Sequence, residues 1–369
     1  MIEFKLPSLG ADMDEGTLLE WKVKPGDAVK KGQVVAIVDT TKAAVDVECW
    51  QDGTVRQLIA EVGDKMPVGT VMATLLEPGE SVPPKVSGGG TPAAPPSRRR
   101  VSPAARKHAQ ELGVDIDVLV GTGPQGAVTL ADVDTAAPKT AAASTDKTAE
   151  MRKAIAAAMT RSKREIPHYY VAEDIGLERA LAWLQAENAK RAMAERLLPA
   201  VLLLKAVAKG LARYPELNGV FREGAFVAAT QVNLGVAISL RQGGLIAPAL
   251  LDAGSKPLTQ LMQELTDLVA RTRAGSLKSS ELSEGTITVT NLGDQGSQSV
   301  FGIIYPPQVA LVGFGRVAER PWVEAGKVLL RPVVTASLSA DHRVSDGHRG
   351  ALFLRELADL LQRPEELDQ

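Results

Sequence analysis

Two stretches of this chain cannot build a core. Residues 79–97 read GESVPPKVSGGGTPAAPPS, and residues 135–147 read TAAPKTAAASTDK. Neither has apolar periodicity, and neither can bury enough apolar surface to offset its ordering entropy. Both read as tethers. They divide the 369 residues into folded blocks at 1–80, 98–134 and 148–369, joined by flexible linkers at 81–97 and 135–147. At about 3.1 Å per residue, the first linker reaches roughly 60 Å when fully extended. A block at its end can travel.

Composition narrows the function classes without choosing one. The chain is 45% hydrophobic and 23% charged, ordinary for globular protein. A net charge of −2 and 4% aromatic residues argue against a nucleic-acid surface. The single cysteine, Cys49, excludes an internal disulfide framework and a multi-cysteine metal site. Four histidines leave little for a metal cluster. The longest apolar run, Leu197 to Leu204, meets Lys205 and is too short to span a bilayer. No signal or transit peptide is visible. The expectation is a cytoplasmic protein with no metal, no membrane and no nucleic-acid partner.

The first block alternates in short strands: IEFKL, TLLEWKV, VVAIVDT, AAVDVEC, TVRQLIA and VMATLLE. Turn signals such as Lys24-Pro25-Gly26-Asp27 and Val62-Gly63-Asp64 separate them. PGDAVKKGQVVAIV echoes VGDKMPVGTVMATL, which predicts a β-sandwich of two similar halves. Between the halves, strand hydrophobicity stops at Asp39 and resumes after Lys42, the pattern of a hairpin with a lysine at its tip. The block resembles a lipoyl domain, whose lipoyl-lysine sits at such a tip. The resemblance implies lipoate bound covalently to Lys42. Thr41 departs from the aspartate common before that lysine. Biotin carriers share the fold but flank their lysine with methionine, absent here. The block holds 14 acidic against 8 basic residues, a net of −6.

The second block opens on a basic helix start, Arg98-Arg99-Arg100, with Arg106 and Lys107 following before Glu111. Its GTGPQG loop and the TLADV after it resemble the small helical peripheral subunit-binding domain of 2-oxo acid dehydrogenase acyltransferases. The basic run fits an electrostatic clamp on an acidic partner, with Arg98, Arg99, Arg106 and Lys107 as candidate contacts, and the resemblance implies a partner enzyme with Arg106 as a principal contact. Ala127 replaces the usual basic residue after the loop. Gly121, Gly123 and Gly126 do not form a dinucleotide site, because no βαβ unit surrounds them.

The third block alternates helix and strand. Helices are expected at Glu150–Arg164, within Leu177–Tyr214 and at Leu258–Ala274. Strands are expected at Tyr169–Ile175, Val232–Leu240, Thr286–Thr290, Val309–Phe314 and Val333–Leu338. The segment Asp341-His342-Arg343-Val344-Ser345-Asp346-Gly347 resembles the D-H-R-x-x-D-G signature of dihydrolipoamide acyltransferases. Pro167-His168, Gly244-Leu245-Ile246-Ala247-Pro248, Thr290-Asn291-Leu292-Gly293 and Pro306-Pro307-Gln308 agree in order. The resemblance implies an α/β domain like chloramphenicol acetyltransferase, and the E2 component of a 2-oxo acid or acetoin dehydrogenase complex.

The implied chemistry is acyl transfer from the lipoyl arm to coenzyme A. Making a thiolate from a thiol of pKa near 8.5 needs a base, and a neutral imidazole suffices. His342 is that base. The oxygen that gains negative charge needs a donor, a serine in the family, and Thr290 occupies its position. Asp346 completes the catalytic candidates, more as a brace of the loop through Arg343 or another cation than as a reacting group. His168, His348 and Cys49 read as structural. Relatives form trimers, often in polyhedral cores, whose clefts lie between subunits, with the decarboxylase (E1) and dihydrolipoamide dehydrogenase (E3) as partners. The alternative is a scaffold that carries lipoate and binds partners without catalysis.

Overall fold

A computed structural model of the chain describes residues 2–8, 13, 15–40, 44–77, 143–240, 244–293 and 296–368. The second block, with Arg98, Arg99, Arg106 and Lys107, lies outside the described residues, and so does Lys42.

The N-terminal block has eight strands: β1 (Ile2–Lys5), β2 (Glu15–Trp21), β3 (Ala28–Val29), β4 (Val34–Asp39), β5 (Ala44–Glu48), β6 (Gly53–Leu58), β7 (Lys65–Pro67) and β8 (Val71–Leu76). The short β3 and β7 were not expected from hydrophobic pattern, having two and three residues. One sheet runs β1-β8-β6-β3, and the other contains β5-β4-β2-β7. Advancing every strand by four positions turns the first order into the second. The repeat seen in sequence is therefore a repeat of topology. Its turns match in detail. Gly26 and Gly63 adopt φ of 99° and 100°, a region that only glycine enters without strain. Asp27 Oδ2 accepts from Lys24 N, and Asp64 Oδ2 from Glu61 N, each at 2.8 Å. The two halves close on Phe4, Leu18, Val38, Val45, Val47 and Met72, all buried. Cys49 lies in this core, where burial raises its thiol pKa.

The C-terminal block begins with α1 (Ala143–Glu165), then β9 (His168–Gly176), α2 (Glu178–Ala189) and α3 (Pro199–Gly210). The first of these starts earlier than expected. Its first residues fall inside the segment read as a linker, because alanine is the best helix former. A hairpin follows, β10 (Gly219–Arg222) and β11 (Ala225–Ala228), and then β12 (Leu234–Val236), β13 (Ile238–Ser239), β14 (Leu245–Ile246) and β15 (Ala249–Leu250). The single strand expected at Val232–Leu240 is thus two. Leu234–Val236 pairs with β15, whereas Ile238 and Ser239 turn to pair with β14. Next come α4 (Leu258–Ala274), β16 (Ser276–Lys278), α5 (Ser279–Ser283), β17 (Ile287–Asn291), β18 (Ala310–Phe314), β19 (Ala318–Glu324), β20 (Lys327–Asp341) and α6 (Gly347–Leu361).

The main sheet runs β15-β12-β17-β18-β20-β19, with β9 also on β20. Its core includes Val289, Val312, Phe314, Leu338 and Ala340, packed with residues of the helices. Leu258, Leu261, Leu265 and Leu268 give α4 one buried stripe at helical spacing. Helix α3 is buried nearly all round, Lys205 included. That lysine is tolerated because its Nζ donates to the carbonyls of Gly254 (2.7 Å) and Lys256 (2.5 Å). Burial lowers its pKa. No helix among the described residues is long and apolar enough to cross a membrane.

Candidate active site

His342 follows the last residue of β20 and precedes α6. Its backbone is fixed by donation from His342 N to Pro167 O at 2.9 Å. On one side of it, Asp341 is fully buried. The Asp341 carboxylate accepts from Arg343 N (2.9 Å), Nε (3.0 Å) and Nη2 (2.6 Å). These bonds raise the guanidinium pKa further, and Arg343 also stacks over the Phe221 ring at 3.9 Å. A buried carboxylate without such a partner would be strongly unfavourable. Val344 N and Ser345 N both donate to Asp341 O, at 3.0 and 3.1 Å, closing the turn. The His342 ring meets the edge of Tyr169 at 5.3 Å between centroids. Tyr169 is itself held by Ser345 Oγ at 2.9 Å, and its burial raises the phenol pKa. The imidazole is exposed, facing outward from this brace.

Asp346 is not bound to Arg343, contrary to the expected brace. Arg343 is taken by Asp341, two residues away. The Asp346 carboxylate instead caps α6, accepting from Arg349 N at 3.0 Å, which lowers its pKa. His168 has both ring nitrogens committed. Nδ1 pairs with Ile166 O at 2.8 Å, and Nε2 accepts from Ile304 N at 3.1 Å. Only the neutral ring can accept at Nε2, and burial lowers its pKa accordingly. Tyr169, Ser345 and Phe221 were not read as site residues from sequence. The only signal for Tyr169 was its place directly after Pro167-His168.

Thr290 lies elsewhere on the sheet. It pairs with Gly313, which pairs with Ser337. His342 is five residues beyond Ser337 along β20. Strand geometry separates the two residues by about 17 Å along the strands and about 10 Å across them. Among the described residues of one chain, the two stand towards opposite ends of the sheet. The Thr290 row is kept open by Gly313, where an added Cβ would sit 2.5 Å from Val300 O. On the other face, Val289 and Asn291 line a cavity of about 550 Å³ with Met262, Thr266 and Arg273 of α4.

In the N-terminal sandwich, Val38 pairs with Val45 and Asp39 with Ala44. That register makes residues 40–43 the connection between β4 and β5, and Lys42 falls within it. The site therefore fits a carrier lysine on a hairpin.

Comparisons with known proteins agree along the whole length. The family model for the 2-oxoacid dehydrogenases acyltransferase catalytic domain matches residues 140–368, the biotin-requiring enzyme (biotin/lipoyl) model residues 2–75, and the E3 binding domain model residues 99–134. The dihydrolipoyllysine-residue acetyltransferase component of the Staphylococcus aureus pyruvate dehydrogenase complex is 30% identical, covering 99% of this chain and 98% of that protein. Its counterpart from Zymomonas mobilis is 29% identical, covering 98% of each. Among solved structures, Azotobacter vinelandii dihydrolipoamide acetyltransferase superposes with a TM-score of 0.56 at 28% identity, covering 59% of this chain and 90% of that one. The truncated catalytic core of the Thermoplasma acidophilum 2-oxoacid dehydrogenase complex gives 0.52 at 28% identity, with 58% and 95% covered. The Azotobacter study concerns a serine, a histidine 52 residues later and an asparagine four residues beyond that. Thr290, His342 and Asp346 have the same spacing. The chain belongs to the 2-oxoacid dehydrogenase acyltransferases, with a lipoyl domain and an acyltransferase on one polypeptide, and transfers acyl groups from a lipoyl arm to coenzyme A.

Proposed function

We propose that this chain is the acetyltransferase component of a cytoplasmic pyruvate dehydrogenase complex, working as a trimer or a larger core built of trimers. Acetyl is favoured over other acyl groups by the names of the relatives that span the whole chain. Lys42 of a lipoyl domain at 1–80 carries the arm. The domain at 98–134 holds E1 or E3, with Arg98, Arg99, Arg106 and Lys107 as its contacts. Residues from the start of α1 onward do the chemistry, and 81–97 and the stretch from 135 to the start of α1 serve as linkers.

When bound, the lipoyl group presents the acyl group as a thioester. His342 takes the proton from the coenzyme A thiol, and the ring is set for this by Tyr169 and by the Asp341–Arg343 turn. Thr290 Oγ1 donates to the thioester oxygen as it gains charge. Asp346 supports this from a distance by fixing the start of α6.

The observation that carries the reading is the placement of His342 and Thr290 towards opposite ends of one sheet. A single chain cannot bring them to one substrate, whereas neighbouring copies can, each giving one residue. The spacing shared with the Azotobacter enzyme supports the same pair. Subunit mixing tests it. His342→Ala and Thr290→Val proteins should each be nearly inactive with dihydrolipoamide and acetyl-CoA. Co-expressed, they should recover activity, because a mixed assembly contains clefts with both native residues. If mixing restores nothing, base and donor do not come from different chains. Turnover compared across acetyl-, isobutyryl- and succinyl-CoA tests the substrate.

A further inference from the structure

We propose that β16, together with Ser279 and Ser280, is a docking edge on the acyltransferase domain for the lipoyl domain of this chain, and that Glu48 is the side chain it recognises. Strand β5 is an edge of the lipoyl sandwich, and β16 adds to it in parallel. Ser276 pairs with Ala44, Leu277 with Val45 and Lys278 with Asp46. An open strand edge offers unpaired N–H and C=O groups, which an added strand satisfies. The internal symmetry of the sandwich supplies a control. β1 occupies the equivalent edge of the other sheet, and among the described strands it pairs only with β8. The edge that is covered is the one leading directly from the hairpin of Lys42.

Side chains then select this edge. Glu48 Oε2 accepts from Ser280 Oγ at 2.6 Å and from Ser280 N at 3.3 Å. Ser279 Oγ accepts from Glu48 N at 3.1 Å. Leu282 packs against both hydrophobic cores. Charge is complementary. Asp46 and Glu48 belong to an acidic domain, Lys278 faces Asp46 in register, and α4 ends in Arg271 and Arg273. Arg271 is committed to Glu281 and Asp267. Arg273 lines the cavity beside Asn291, three residues before Ser276, the partner of Ala44. Docking therefore brings the first residue after the arm's hairpin next to that cavity. Three strand pairs and one carboxylate make a weak attachment, which suits a carrier that must leave again.

The catalytic meaning of this contact rests on Lys42 being the arm carrier, but the contact itself does not, and two measurements separate them. In the full chain, Asp46→Cys with Lys278→Cys should be joined by a short bis-maleimide at low salt. The yield should fall in 0.5 M salt and on adding Glu48→Arg. The out-of-register pair Glu61→Cys with Lys278→Cys is the comparison, and equal yields from both pairs would overturn the docking. In the lipoylated protein, Glu48→Arg and Ser280→Ala should each slow transfer from the domain-borne arm by about tenfold, the scale of an interface charge pair. Transfer to free dihydrolipoamide should change less than about twofold, since neither residue lies near the reacting atoms. Unchanged transfer from the tethered arm would overturn the functional role even where cross-linking succeeds. Loss of transfer to free dihydrolipoamide would also overturn it, by placing the defect in catalysis rather than docking.

Discussion

The lipoyl sandwich and the acyltransferase domain solve opposite problems. The sandwich needs one residue at one turn, and everything about that turn is local. Asp39 pairs with Ala44 across four residues, and the duplicated Gly-Asp turns set the strands that flank it. The site proposed for the acyltransferase domain uses two residues that its own sheet holds apart, Thr290 on β17 and His342 beyond β20. On the reading proposed above, the carrier is complete in one chain, and the catalyst is not. Tethering the two on one polypeptide keeps the arm at high local concentration around the acyltransferase domain.

The sharpest way to break this division is to remove the carrier. Lys42→Ala should abolish activity of the reconstituted complex, and transfer to free dihydrolipoamide should survive nearly intact. Loss of both together would show that carrier and catalyst are not separable. On the catalyst side, His342→Ala should lower turnover with free dihydrolipoamide by about 10²–10⁴, the usual worth of a placed base.

Thr290 tests the proposed donor more finely, because threonine stands at the spacing from the histidine that a serine has in the Azotobacter enzyme. Thr290→Val keeps the shape and removes the hydroxyl, and should cost about 10²–10³ in turnover. Thr290→Ser keeps the hydroxyl and frees χ1, and should stay within about tenfold of the native rate. Equal loss in both would mean that packing governs the position. Full activity in Thr290→Val would move the donor to another group.

What could be read from the sequence follows the same line between local and non-local. The two-halved sandwich was visible because its cues repeat: Gly26-Asp27 with Gly63-Asp64, then an apolar strand. Only β3 and β7 escaped, being too short to show alternation. The turn Asp341–Asp346 was visible as a motif, but its pairing was not. Arg343 goes to Asp341, and Asp346 goes to the helix that follows, because a helix start offers unpaired N–H groups close by. The division of Val232–Leu240 into two strands was hidden, since its hydrophobicity is continuous while its partners change. That Thr290 and His342 come from different chains was implied by the resemblance alone and not by the residues, for a deeper reason. Their distance depends on strand order and register, which no local pattern encodes. The pairing of β16 with β5 joins segments more than two hundred residues apart and had no sequence signal.

The partner-binding block gives a smaller effect. Arg106→Ala should weaken binding of E3 or E1 more than Lys107→Ala, and the affinity should fall as salt rises. Truncating a desolvated interface charge costs about 2–5 kcal/mol, against about 0–1 for an exposed one. Binding by calorimetry at two salt concentrations reads both. Affinity indifferent to salt and to Arg106 would place the partner elsewhere.

The smallest effect concerns stability, and it isolates the brace beneath the active-site turn. His168 is held neutral by accepting from Ile304 N, and its pKa is lowered by burial. In the unfolded chain the ring regains its ordinary value of about 6.5. Below that pH the unfolded state binds a proton that the folded ring resists. The unfolded state therefore holds more protons, and stability rises with pH through this window. The contribution is present above the ordinary imidazole range and is lost progressively as pH falls below it. The Asp346 cap works in a separate window. Its pKa is lowered, so its contribution is lost only below the ordinary carboxylate range. Melting temperature followed from pH 7.5 to 5.5 thus reads histidine alone of these two. It should fall over that interval, and the fall should be shallower in His168→Asn, which cannot be protonated. An unaltered slope in that variant would assign the acid sensitivity to another histidine and free His168 from its role as a neutral acceptor.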